Sequence, residues 1–165
     1  VEPLIKGGGQ EGRRRAGTEN VPGIVGFGVA AELAAKELGD VAALAALRDQ
    51  LEEGVRAVAA DAVIVSASAP RLPNTSCIAV PGVKAETLVI GLDLAGIAVS
   101  AGSACSSGKV EVSHVLEAMG LSPEIAGGAV RVSLGFGTKN DDIKRYVSAF
   151  GELIKRLKRN AKEAA

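Results

Sequence analysis

The stretch SCIAVPGVKAETLVIGLDLAGIAVS, residues 76–100, decides the architecture. Its opening SCIAVPG (76–82) is short and apolar and closes on a Pro-Gly pair, which reads as a β-strand. A helix is expected around 84–95, and GIAVS (96–100) reads as a second short strand. Further out, AVIVS (62–66) reads as a strand, and AVRVSLG (129–135) as a strand with alternating sides. Upstream, Pro22 can serve as the first residue of a helix running to about Gly39. Gly23, Gly26 and Gly28 lower its intrinsic helicity, so packing against another body must hold it. Asp40 reads as the cap of a second helix, with Val41, Leu44, Leu47, Leu51, Val55 and Val58 forming an apolar stripe. Arg48, Asp49, Glu52 and Glu53 fall off that stripe.

Downstream, SHVLEAMG (113–120) reads as a short helix stopped by Gly120 and Pro123. A final helix starts at the capping-box-like TKND (138–141). It carries Ile143, Val147, Phe150, Ile154 and Leu157 on one face, and Lys155, Arg156, Lys158 and Arg159 suit its negative end. The order of elements points to the α+β class, with helices covering one face of a small, mostly antiparallel sheet.

The chain has 165 residues, 47% hydrophobic and 23% charged, which is the composition of a globular domain. Lys plus Arg and Asp plus Glu both number 19, so the net charge is zero. A neutral chain offers no general attraction for nucleic acid or an anionic membrane; the GRRR run (12–15) is the local exception. No apolar run approaches the ~20 residues that span a bilayer. The two cysteines, Cys77 and Cys105, make neither a disulfide framework nor a metal-ligand set, and the expected setting is a reducing cytoplasm. The chain opens at Val1-Glu2-Pro3 inside a pattern, so a piece of a longer protein is expected.

Four residues could carry chemistry. Cys105 lies in SAGSACSSG (100–108), among neighbours too small to bury a thiol. It reads either as a movable nucleophile, with serine hydroxyls and backbone N–H groups to stabilise its thiolate, or as a surface thiol in a turn. Arg131, between Val130 and Val132, must point away from both; it suits bidentate capture of a carboxylate or the solubility of an edge strand. Thr18, after Gly17 and the arginine run, could cradle a phosphate, although Gly-Thr pairs are common in loops. His114 reads as a general base or, more simply, as a solvent-facing histidine. Cys77, inside an apolar strand, reads as core, and with one histidine no zinc site is expected.

Taken together, GGGQEGRRRAGTENVPGIVGFGVA, RLPNTSCIAVPGVKAETLVIGLDLAGIAVSAGSACSSG, SHVLEAMG and VRVSLGFGT resemble the cysteine desulfurases over essentially the whole chain. These are pyridoxal-phosphate enzymes of the class V aminotransferase group, and the cysteine loop is similar to that of the longer-loop subgroup supplying iron–sulfur clusters. The resemblance implies the small C-terminal domain of a PLP fold-type I enzyme, residues 21–165, preceded by the glycine-rich tail of the large cofactor-binding domain, residues 1–20. It implies that Cys105 attacks the sulfur of cofactor-bound L-cysteine, becoming a persulfide and leaving L-alanine. Arg131 would bind the substrate carboxylate, and Thr18 would bond the cofactor phosphate of the neighbouring subunit in a homodimer. An iron–sulfur scaffold or another acceptor protein would receive the sulfur.

One departure is large. The family's cofactor-anchoring lysine follows a histidine upstream of GGGQE, whereas the only histidine here precedes Val115. The expectation is a C-terminal fragment that lacks desulfurase activity by itself. The alternatives are a stand-alone sulfur-carrier or interaction module, or a related selenocysteine lyase or aminotransferase.

Overall fold

The computed structural model describes residues 2–101 and 112–163. It divides into two compact units, Val1–Gly39 and Asp40–Ala165. The first begins with a loop that contains a 3-10 turn, Gln10–Arg13, in which Glu11, Gly12 and Arg13 all take positive φ. Helix α1 (Val21–Glu37) follows, with Pro22 in its first turn and Asn20 as its N-cap, accepting from the Gly23 N–H at 3.2 Å. Not one residue of α1 is buried, so nothing within this unit supplies the packing its glycines call for.

The second unit is a four-stranded sheet with helices. Helix α2 (Val41–Val58) is followed by strands β1 (Val63–Ile64) and β2 (Thr75–Ala79), then helix α3 (Ala85–Leu94) and strand β3 (Ser100–Ala101). Helices α4 (His114–Ala118) and α5 (Pro123–Gly128), strand β4 (Val130–Ser133) and helix α6 (Asn140–Glu163) complete it. Strand order is β1-β2-β4-β3, and every pairing is antiparallel. β1 and β4 lie inside the apolar runs read for them, only shorter; β2 begins one residue before its run, and β3 keeps only Ser100 of GIAVS (96–100) and extends to Ala101. β1 keeps two residues because Ser66 turns out at φ 56.

Strand period sorts the side chains into two cores. Ile78, Val80, Val130 and Val132 face α2, α3 and α6, and meet Leu51, Val55, Leu88, Leu92, Phe150 and Ile154 in the larger one. On the opposite face Ala79 and Ala129 pack with Leu116 of α4 and Ala126 of α5, with Cys77 half-buried beside them. Helices thus cover part of the second face as well as the first. α5 is also new. Pro123 does not stop a helix but opens one, because Ser122 caps it by accepting from the Ile125 N–H at 3.4 Å and a proline in the first turn has no amide to leave unbonded.

Two more expectations are corrected. Glu52, placed off the apolar stripe of α2, is 3% exposed. Arg71 holds it with two bonds of 2.7 and 3.0 Å, and the Ser76 hydroxyl donates to it at 2.8 Å. A carboxylate enters a core only with such partners. At the start of α6 the box expected at Thr138–Asp141 does not form: Thr138 accepts from the Gly135 N–H at 2.9 Å and closes the preceding turn, and the cap shifts one residue on, where Asp142 accepts from the Lys139 N–H at 2.8 Å.

Candidate functional site

Arg131 stands in an interior strand, between β2 and β3, which removes the edge-strand reason for a charge there. Burial along β4 alternates: Val130 and Val132 are buried, Arg131 and Ser133 exposed. The two valines anchor the strand in the larger core and aim the guanidinium out of the other face. Cys77 lies directly opposite on β2 and Ser100 directly opposite on β3, so the three side chains form one row across the sheet. The next row on that face pairs Thr75 with Ser133. An exposed guanidinium among hydroxyls on a rigid ladder is a fitting receptor for a carboxylate.

Cys77 is half-buried rather than enclosed. Burial pushes its thiol up, and the facing Arg131 charge pulls it down only in part. It therefore stays a protonated thiol at neutral pH and is a poor nucleophile. Cys105 lies outside the described residues. Ala101 pairs with Val130, the neighbour of Arg131.

Thr18, in the other unit, is exposed. Gly17 before it takes φ 94, a conformation that favours glycine, and its N–H donates to Gln10 Oε1 at 3.3 Å. The Arg15 guanidinium donates to the Gly17 and Thr18 carbonyls at 3.3 and 3.2 Å. A cation thus lies beside an exposed hydroxyl on a shaped loop, a donor set that fits a phosphate. His114 opens α4 and is exposed, in a segment capped by Ser113. Among the described residues no group of three or more His, Cys, Asp and Glu side chains could hold a metal ion. A cavity of about 500 Å³ lies between the start of α3 and α5, lined in part by Lys84, Glu86, Glu124 and Gly128; of the candidates among the described residues, Arg131, Thr18, His114 and Cys77, none lines it.

Reading the sequence missed the Arg71–Glu52–Ser76 cluster, which ties β2 to α2 at Ser76, one residue before Cys77. The signal lay in RLPNTS (71–76), an arginine and a serine flanking a turn.

Residues 6–146 match the family model described as aminotransferase class V. A cysteine desulfurase of Cereibacter sphaeroides is 46% identical over 157 residues, 95% of this chain and 40% of that protein. One of Archaeoglobus fulgidus, cysteine desulfurase IscS 1, is 42% identical over 159 residues, 96% of this chain and 41% of that one. Among solved structures, a NifS-like protein from Rickettsia africae superposes with a TM-score of 0.82 at 36% identity, covering 94% of this chain and 40% of its own. The chain therefore spans about 40% of the length of the relatives it matches.

Proposed function

The chain belongs to the class V aminotransferase family, and on that premise we propose that it is the C-terminal portion of a cysteine desulfurase. The observation that carries the reading is the exposed Arg131 on an interior strand, in register with Ser100, the strand residue that leads into the segment bearing Cys105. The proposed reaction takes L-cysteine to L-alanine and leaves the sulfur on Cys105. Arg131 pairs with the substrate carboxylate and so fixes where the substrate's sulfur lies. The Cys105 thiolate attacks that sulfur: an S–S bond forms, the substrate C–S bond breaks with its electron pair on carbon, and that carbon takes up a proton. The persulfide then passes to an acceptor protein, with iron–sulfur assembly the destination that the IscS name of one relative suggests.

Pyridoxal phosphate, when bound, supplies the electron sink that makes the C–S bond labile. Thr18 and Arg15 would hold its phosphate from a neighbouring subunit, so we propose a homodimer. In this reading residues 1–20 belong to the large domain, residues 21–165 to the small one, and the anchoring lysine to neither. The protein would work in the cytoplasm; among the described residues no helix is long and apolar enough to cross a membrane.

The test uses the native-length protein supplied with pyridoxal phosphate and L-cysteine. Cys105→Ser should abolish persulfide formation while the cofactor's absorption band persists. Arg131→Lys, which loses bidentate geometry but keeps the charge, should lower kcat/KM for L-cysteine by about 10- to 100-fold. Sulfur transfer that survives Cys105→Ser overturns the assignment. Alanine production by the 165-residue chain alone overturns the view that it is only a portion.

A further inference from the structure

On α6, Lys155, Lys158, Arg159 and Lys162 recur at i, i+3, i+4 and i+7, which places four cations on one face of the helix. All four line a groove of about 570 Å³ between the last turns of α6 and the C-terminal end of α2, with Val58 in its wall. Asp61 is the acidic side chain of the groove, bonded by Lys158 at 2.6 Å. Arg159 approaches Glu163 at 3.9 Å. Among the described residues, no carboxylate lies within 4.0 Å of Lys155 or Lys162.

The helix dipole accounts for part of this stripe, but its pull fades beyond the last turn. Lys155 lies two turns before the helix ends at Glu163. Net charge does not account for it either, since the chain as a whole is neutral. The four cations are a local excess, concentrated on one wall of a concave surface.

We propose that this groove docks an acidic helical segment of a partner protein. Carboxylates at i, i+3, i+4 and i+7 of such a segment repeat over the same ~10 Å as the four cations. Its apolar side chains lie against half-buried Val58 and the aliphatic stems of the lysines. A nucleic-acid strand fits less well. The aromatic side chains of α6, Tyr146 and Phe150, are buried and give no stacking platform. The inference stands apart from the desulfurase reading, because it uses neither Arg131 nor Cys105.

The test measures fluorescence anisotropy on the 165-residue chain with two labelled probes. One is a helical peptide with Glu at i, i+3, i+4 and i+7 over a Leu face; the other is oligouridine RNA. The peptide should bind, with affinity falling as salt rises. The double variant Lys155→Glu/Lys162→Glu should weaken binding about tenfold or more, with unchanged circular dichroism and thermal midpoint. Should that variant unfold, Lys155→Gln/Lys162→Gln must weaken the peptide in the same direction. Absence of peptide binding, equal binding by a folded variant, or RNA binding tighter than peptide through the same lysines each overturns the proposal.

Discussion

At the scale of single residues, Glu52 shows how a charge can be a core residue. Burial pushes its carboxyl up, but hydrogen bonds from Arg71 and Ser76 and the charges of Arg71 and Arg48 outweigh this and hold it below the usual range. The sign follows from linkage. A carboxyl lowered by folding contributes stability that is present above its unfolded value, about 4.3, and is lost as pH falls through the folded value. Glu52→Gln should cost about 3 kcal/mol at neutral pH, because Arg71, only 15% exposed, is left without its counter-charge. The variant should also lose part of the parent's decline in stability below pH ~4; urea titrations across that range check both.

Tyr146 is the converse case. It is 3% exposed and stacks on Phe150 at 5.7 Å, yet its hydroxyl finds no hydrogen-bond partner among the described residues. Burial pushes that phenol far up. Tyr146→Phe removes an unsatisfied polar atom and keeps the ring. Its thermal midpoint should equal or exceed the parent's, where loss of a bonded hydroxyl would cost about 1 kcal/mol.

At the scale of elements, packing distance decides what each contact tolerates. A Cβ on Gly128, at the end of α5, would stand 2.5 Å from the Val83 carbonyl oxygen, a backbone atom that cannot swing aside. A Cβ on Gly91 of α3 would stand 2.6 Å from a Leu153 methyl on α6, the far end of a flexible side chain. Gly128→Ala should therefore destabilise by about 2–3 kcal/mol, the cost of overpacking against a fixed wall. Gly91→Ala should cost less, because Leu153 can change rotamer and alanine favours a helix interior by up to ~1 kcal/mol. Chemical denaturation of the two variants side by side ranks them; the reverse order would refute the packing account.

At the scale of the whole molecule, the two units draw stability from different sources. α2 and α6 are held by a shared apolar core in which Phe150 and Val55 are fully enclosed. α1 has 17 residues, no buried side chain, and apolar groups such as Phe27 at 79% exposure. A helix of that length with three glycines and no packed face is marginal in water. Amide hydrogen exchange of the 165-residue chain should therefore be fast across 21–37 and slow across the middles of α2 and α6. Protection of α1 equal to that of α6 would contradict this.

Much of this was written locally, in forms the sequence by itself determines. Strand period set Arg131 against its two valines, helical period marked the buried face of α6, and four motif segments carried the family from end to end. Ser122 and Pro123 also encode a helix start locally, although a proline after a glycine reads equally as a stop. What tertiary structure alone decided was partnership. Only the strand register put Cys77 and Ser100 on either side of Arg131, and only the fold brought Arg71 and Ser76 to Glu52 and made a charge a core residue. Period and caps act through neighbours a few positions apart, whereas a buried ion pair or a cross-strand row joins residues tens of positions apart. Their meeting is settled by which faces the core brings together.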